Sequence, residues 1–141
     1  MVKQLTVFIE NRVGTLEEVT KVLSENNINI FSLSLADTSE YGLLRMIVAS
    51  PEEAKKLLRD AGFSAKVTDV VAVRLENKVG TLAKLFDTIS ASNVSIEYMY
   101  AMATSKVGAI IIKVSDADTT IDVLKKNDFM VLDQESMYEL N

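Results

Sequence analysis

The stretch Glu10-Asn11-Arg12-Val13-Gly14-Thr15-Leu16 returns 66 residues later as Glu76-Asn77-Lys78-Val79-Gly80-Thr81-Leu82, with six of seven residues identical and the seventh a basic residue exchanged for another. Self-similarity at a fixed offset is the signature of a duplicated structural unit. The same offset, without a gap, matches Ser24 with Ser90, Asn27 with Asn93, Ile30 with Ile96, Thr38-Ser39 with Thr104-Ser105, Gly42 with Gly108, Val48 with Val114, Leu58 with Leu124 and Phe63 with Phe129. The duplication spans almost all of the 141 residues and predicts two modules, residues 1–69 and 70–141.

Within each copy the apolar period alternates between two and about 3.6 in a fixed order. Leu5, Val7 and Ile9 alternate, as do Val71, Val73 and Leu75, so each copy opens with a half-buried strand. Leu82, Leu85, Phe86 and Ile89 then form a helical stripe, and Leu16, Val19 and Leu23 form its counterpart. On this periodicity Leu16 and Leu82 belong to the core. Thr15 with Glu18 three residues on has the spacing of a capping box, whereas Thr81 with Lys84 lacks the glutamate. Two strand-like runs follow, Ile28 to Asp37 and Tyr41 to Ala49, joined through Thr38-Ser39-Glu40, with counterparts at Val94 to Ala103 and Val107 to Ser115. Each pair reads as a hairpin.

Ser50-Pro51-Glu52-Glu53 supplies a cap, a proline at the first helical position and a glutamate to reciprocate, before Ala54, Leu57, Leu58 and Ala61 on one face. Gly62 stops that helix, and Phe63 to Thr68 supplies a fourth strand. The order β-α-β-β-α-β is ferredoxin-like, so the expected fold is α+β: two tandem βαββαβ modules, each an antiparallel sheet with its helices on one face. No Gly/Ser/Pro-rich linker separates the copies, since the chain passes through Asp69 directly into Val70-Val71-Ala72-Val73, and the modules are expected to pack together. The second copy ends near Leu132. The tail from Asp133 reads either as an extra strand, through Met137-Tyr138-Glu139-Leu140, or as a frayed end.

Composition narrows the function. Fifteen Lys and Arg against twenty Asp and Glu give a net charge of −5, which opposes the counterion release that drives nucleic-acid binding. With no cysteine and no histidine there is no disulfide, thiolate nucleophile or imidazole base, and the commonest metal ligands are missing. Neither a metal site nor a cofactor is expected. Only six uncharged residues separate Lys3 from Glu10, too few for the apolar core of a signal peptide. The longest charge-free stretch, Asn26 to Ala36, is eleven residues with three Asn and two Ser, well short of a membrane span. A soluble cytoplasmic protein without a membrane partner is expected.

The loop Glu10 to Leu16, followed by an amphipathic helix and Asn27-Ile28-Asn29-Ile30, resembles the ACT domain, a small-molecule-sensing module of amino-acid metabolism. Glu76 to Leu82 with Asn93-Val94-Ser95-Ile96 resembles a second one. The resemblance covers residues 1 to 132, and its flavour is similar to the regulatory subunit of acetolactate synthase. Many members carry a proline before the loop glycine, where this chain has Val13 and Val79. The resemblance implies an amino-acid-binding regulatory protein, not an enzyme, acting on a separate enzyme of amino-acid biosynthesis. It also implies a ligand in the seam between two modules.

The loop chemistry agrees. A glycine at the turn lets backbone approach a ligand, and the free N–H groups at the start of the next helix can receive an α-carboxylate. Asn11 offers both a carbonyl and an amide. Candidate ligand-binding residues are therefore Asn11, Arg12, Val13, Gly14, Thr15 and Leu16, with Asn29, which the resemblance places near that loop. In the second copy they are Asn77, Val79, Gly80, Thr81, Leu82 and Ser95. The plainer alternatives remain open: the glycines as simple turns, Asn11 and Asn77 as Asx caps, and Arg12 and Lys78 as solvated charges. Because Asn29 becomes Ser95 and Phe31 becomes Glu97, the loops are expected to be unequal, with the first the tighter site.

Three other functions compete with regulation. An enzyme would have to use Glu10, Glu76 and Glu97 with Lys78 or Lys106, none of which is spaced as a catalytic dyad. An RNA-binding βαββαβ domain needs a basic aromatic face, and only Tyr98 and Tyr100 cluster here. A structural dimerisation module without ligand is the remaining alternative. A homodimer is expected in any case, because Phe8, Leu43, Ile47, Ala72, Ala109 and Ile111 are predicted to lie on the sheet faces away from the helices.

Overall fold

A computed structural model of the chain describes residues 1–37, 40–103 and 108–140. Thr38, Ser39, Thr104, Ser105 and Val107, on which part of the hairpin expectation rests, lie outside the described residues. The chain divides into two compact units, residues 3–68 and residues 1–2 with 69–141.

The first unit contains β1 (Val2–Glu10), α1 (Thr15–Glu25), β2 (Ile30–Asp37), β3 (Tyr41–Val48) and α2 (Pro51–Asp60), and then enters β4 (Ser64–Leu75). Its strands run in the order β2-β3-β1-β4. Antiparallel pairing sets Leu5 opposite Met46 and Val7 opposite Leu44, so these side chains share a face and pack with Val19, Leu23, Ala54 and Leu58 of the two helices. Each such buried aliphatic contributes about 1.5–3 kcal/mol.

The second unit contains the rest of β4, then α3 (Thr81–Ala91), β5 (Ile96–Ala103), β6 (Gly108–Val114), α4 (Ala117–Lys126), β7 (Met130–Leu132) and α5 (Gln134–Glu139). Its strands run β5-β6-β4-β7. Val71 and Val73, with Ile112, Val114, Leu85, Ile89 and Leu124, make its core. The βαββαβ order thus occurs twice. The strand expected to close the first copy and the one expected to open the second are a single twelve-residue β4, whose run from Ser64 to Leu75 contains no glycine or proline to break it.

Each of the first four helices stops on a residue with left-handed backbone: Asn27 (φ 57), Gly62 (φ 93), Asn93 (φ 58) and Asp128 (φ 64). Asn and Asp tolerate this conformation better than other L residues. Ile28, Phe63 and Phe129 then donate their N–H back to Leu23, Leu58 and Leu124. That closing bond uses up Ile28, so β2 begins at Ile30 rather than at Ile28. A register shift between Ile30 and Ser32 recurs between Ile96 and Tyr98, at the same place in each copy.

Three expectations are corrected. The Thr15/Glu18 capping box does not form, because Gly14 is the cap and Thr15 already lies inside the helix. Thr15 instead donates its hydroxyl to the Glu10 and Arg12 carbonyls, at 3.2 and 3.0 Å. Ser50 does sit at the start of α2 with Pro51 next, but its side chain makes no capping bond. The tail is neither strand nor frayed end: Asp133 accepts from the Ser136 N–H at 2.8 Å and starts α5, which buries Met137.

The sheet-face residues also differ from expectation. Ile47, Ala72, Ala109 and Ile111 are buried within the single chain, and only Phe8 and Leu43 are half-buried. A second subunit is not needed to cover them. The exposed aliphatics of the first unit's sheet are Leu33 and Leu35, on β2 at the end of the strand order.

Candidate functional site

Both loops between strand and helix have the same frame. Arg12 and Lys78 donate their N–H to the Glu10 and Glu76 carbonyls, each at 2.9 Å. Gly14 and Gly80 follow at φ 91 and 89, a conformation that L side chains rarely adopt. Val13 and Val79 stand fully exposed beside them.

Side chains then separate the two. In the first loop the Arg12 guanidinium donates to both carboxylate oxygens of Glu18, at 3.1 and 3.3 Å, and lies 3.4 Å from Glu10. The hydrogen bonds that it donates to Glu18, and the charge of that carboxylate, hold the guanidinium above its ordinary pKa. Asn11 donates to the Asp37 carboxylate at 3.3 Å. A Cβ added to Gly14 would lie 3.5 Å from Glu17 Oε2. The approach to the first glycine is thus already occupied by the chain's own carboxylate.

The second loop is open. A Cβ on Gly80 would meet nothing within 4 Å, and α3 has no acidic residue in its first turn. Leu82 and Ala83 N–H find no acceptor among the described residues, as is usual for a helix start. The loop borders a cleft of about 720 Å³, roomy for an amino acid, lined by Arg74, Leu75, Glu76, Val79, Gly80, Thr81, Lys84, Asp128, Phe129 and Met130. Lys84 Nζ lies 5.6 Å from the Phe129 ring centroid. Lys78 Nζ reaches Glu76 at 2.6 Å, and this bond holds the Glu76 carboxyl below and the Lys78 ammonium above their ordinary values. Arg74 makes a long contact to Met130 Sδ at 3.8 Å, and its charge adds to the lowering of the Glu76 carboxyl. Asp128 has no side-chain partner among the described residues.

Of the expected residues, Val79, Gly80 and Thr81 line this cleft and Asn77 and Leu82 do not. Leu16 and Leu82 are 39% and 42% exposed instead of core. Thr15, Val19 and Leu23 make the inward stripe of α1 at i, i+4 and i+8, which turns Leu16 outward. Asn29 lies at the wrong end of its strand. Its carbonyl accepts from Ala49, whereas the loop end of β2 is Asp37, beside Asn11. At about 3.3 Å per residue the two ends of β2 are about 23 Å apart. Ser95, bonded to Ser115, is displaced in the same way. Arg74, Lys84, Asp128 and Phe129 escape a motif search because they come from four positions outside the loop. The offset of 66 carries their signal: Lys84 stands where the first copy has Glu18, and Asp128 where it has Gly62.

Among the described residues no group of three or more acidic, histidine or cysteine side chains is placed to hold a metal, and no helix is long and apolar enough to cross a membrane.

A family model described as ACT domain pair matches residues 1–141. Protein BT0572 from Bacteroides thetaiotaomicron has a crystal structure with a TM-score of 0.92 at 41% identity, covering 98% of this chain and 96% of that one. The regulatory subunit of aspartate kinase from Thermus thermophilus matches with a TM-score of 0.65 at 18% identity over 89% of this chain and 92% of that one, which shows the fold alone. The acetolactate synthase small subunit from Thermotoga maritima has a TM-score of 0.42 at 14% identity over 94% of this chain and 92% of that one, too distant to support an inference. No curated protein sequence matches.

Proposed function

The chain belongs to the family of ACT domain pairs, and from that premise we propose that it is an amino-acid-binding regulatory protein acting on a separate enzyme of amino-acid metabolism. The observation that carries this is the second-loop cleft, where a left-handed glycine, a helix start, two cations and an unpaired carboxylate meet. A free amino acid matches such a place. Its carboxylate faces Lys84 and the first N–H groups of α3, its ammonium faces Asp128, and its side chain lies against Phe129 and Met130. This departs from the sequence expectation, which favoured the first loop. That the Thermus thermophilus relative is a regulatory subunit supports a regulatory role, as does the absence of His and Cys from this chain.

Regulation needs no bond to form. A ligand that binds one conformation of the protein better than another shifts the balance, and a partner enzyme reads the shift. We place the protein in the cytoplasm and infer a homodimer, now from the exposed Leu33 and Leu35 on the outer strand β2. Light scattering at micromolar concentration tests the dimer, and a monomer refutes it.

A thermal-shift screen of the chain against the twenty amino acids tests the function. A ligand present at one hundred times its dissociation constant adds about 2.7 kcal/mol of stability. No shift with any amino acid, confirmed by calorimetry, overturns the proposal and favours a purely structural module.

A further inference from the structure

Three charged groups around the second loop have no counterpart around the first. Where the second copy has Arg74, Lys84 and Asp128, the first has Phe8, Glu18 and Gly62. Phe8 packs against Tyr41, with ring centroids 5.9 Å apart, and Glu18 is held by Arg12 at 3.1 Å. Glu17 fills the approach to Gly14. The place corresponding to the cleft is therefore built from a ring with Lys66 Nζ 5.6 Å from its centroid, a glycine, the Arg12-paired Glu18 and Glu17.

The cleft's own charges are unevenly spent. Glu76 is neutralised by Lys78 at 2.6 Å. Arg74 and Lys84 make no ion pair, and Asp128 makes none, among the described residues. Two cations and one carboxylate thus remain without an ion pair, Arg74 acting on Glu76 only at longer range, in a chain whose net charge is −5. A neutral amino acid would satisfy one cation and the carboxylate and leave the second cation idle. A ligand with two carboxylates and one ammonium satisfies all three.

Resting on the reading of the cleft as an amino-acid site, we propose that the second loop, and not the first, binds the amino acid and that it takes one with an acidic side chain, aspartate or glutamate. One carboxylate lies at the start of α3 beside Lys84, the second reaches Arg74 on β4, and the ammonium faces Asp128. Lys84 is the residue that decides between the copies, because a glutamate there repels what a lysine attracts.

Calorimetric titration of the whole chain with L-aspartate, L-asparagine, L-glutamate and L-glutamine tests this. One acid is expected to bind with one ligand per chain and roughly tenfold or more tighter than its amide, since charge-assisted hydrogen bonds outweigh neutral ones. Lys84→Glu, which installs the first copy's residue, is expected to remove binding, and Lys84→Ala to weaken it, both with unchanged circular dichroism. Arg74→Ala is expected to weaken the acid but not the amide. Equal affinity for acid and amide, two ligands per chain, or binding by none of the four overturns the proposal. In the last case the wider screen still decides the broader reading, because a different amino acid that binds there leaves the regulatory function standing.

Discussion

The Asn11 side-chain amide donates to the Asp37 carboxylate at 3.3 Å, tying the end of β1 to the end of β2. This bond spends the Asn11 amide inside the fold. Asn11→Ala is therefore expected to loosen the end of β2 and to leave amino-acid affinity within about twofold, well under the change of 1.4 kcal/mol that a factor of ten requires. Hydrogen exchange at Ala36 and Asp37 should quicken. Asp128→Ala is expected to cost about tenfold or more in affinity, as loss of a charge-assisted bond does. Calorimetry of both variants checks the contrast, and an equal loss from both would place ligand at the first loop.

The exposed positions of Leu16 and Leu82 lead to an asymmetry within one helix. Leu23 is fully buried and Leu16 is not. Leu23→Ala is expected to cost about 2–5 kcal/mol through a cavity that cannot collapse, and Leu16→Ala about 1 kcal/mol or less. Urea unfolding with unchanged slope measures both.

The glycines separate strain from binding. Gly14 and Gly80 share a left-handed φ, so either Gly→Val variant is expected to lose about 1–3 kcal/mol while keeping its fold. Gly80→Val should also abolish amino-acid binding by filling the cleft, and Gly14→Val should leave it intact. Full-strength binding in folded Gly80→Val would refute the placement.

Two helix caps respond to acid. Hydrogen bonds from the Thr119 hydroxyl and N–H hold the Asp116 carboxyl below its ordinary value of 3.8, and the Ser136 N–H does the same for Asp133. A carboxyl depressed by folding stabilises the fold fully above its unfolded value and loses that contribution as pH falls through the lower folded value. α4 and α5 are thus expected to lose protection below pH 3.8, in the range where the depressed carboxyls protonate. Hydrogen exchange of Ser136 and Met137 from pH 5 downward follows it, and Asp133→Ala should show the fast exchange already at pH 5.

The duplication made the fold legible, because one offset tied Val7 to Val73 and Leu58 to Leu124 and so fixed element order twice over. Errors arose where a single position of phase decides the outcome. Thr15 lies one residue inside the helix, so its spacing to Glu18 mimics a capping box that Gly14 pre-empts. The same shift lets Thr15 face inward, its hydroxyl satisfied by two carbonyls, and puts Leu16 outside. α5 was announced by Asp133 three residues before Ser136, but Met137-Tyr138-Glu139-Leu140 imitates a short strand. The loop glycines of the candidate site were visible as a motif. Arg74, Lys84 and Asp128 were not, since they lie outside the motif on β4, on α3 and after α4, and it is the antiparallel pairing of β7 with β4 that brings Asp128 to the loop.

The register shift at Ile30/Ser32 and Ile96/Tyr98 is a record of descent. An extra residue placed at the same point in both halves was present in the ancestral single module before it was copied, since two independent insertions would have no reason to coincide. The residue inside the shift, Phe31 in one half and Glu97 in the other, is excused from the strict inside-outside alternation that its neighbours obey. The two halves differ there in both size and charge. Glu97 has already been turned to a new use, lying 3.8 Å from Lys113 on the adjacent strand.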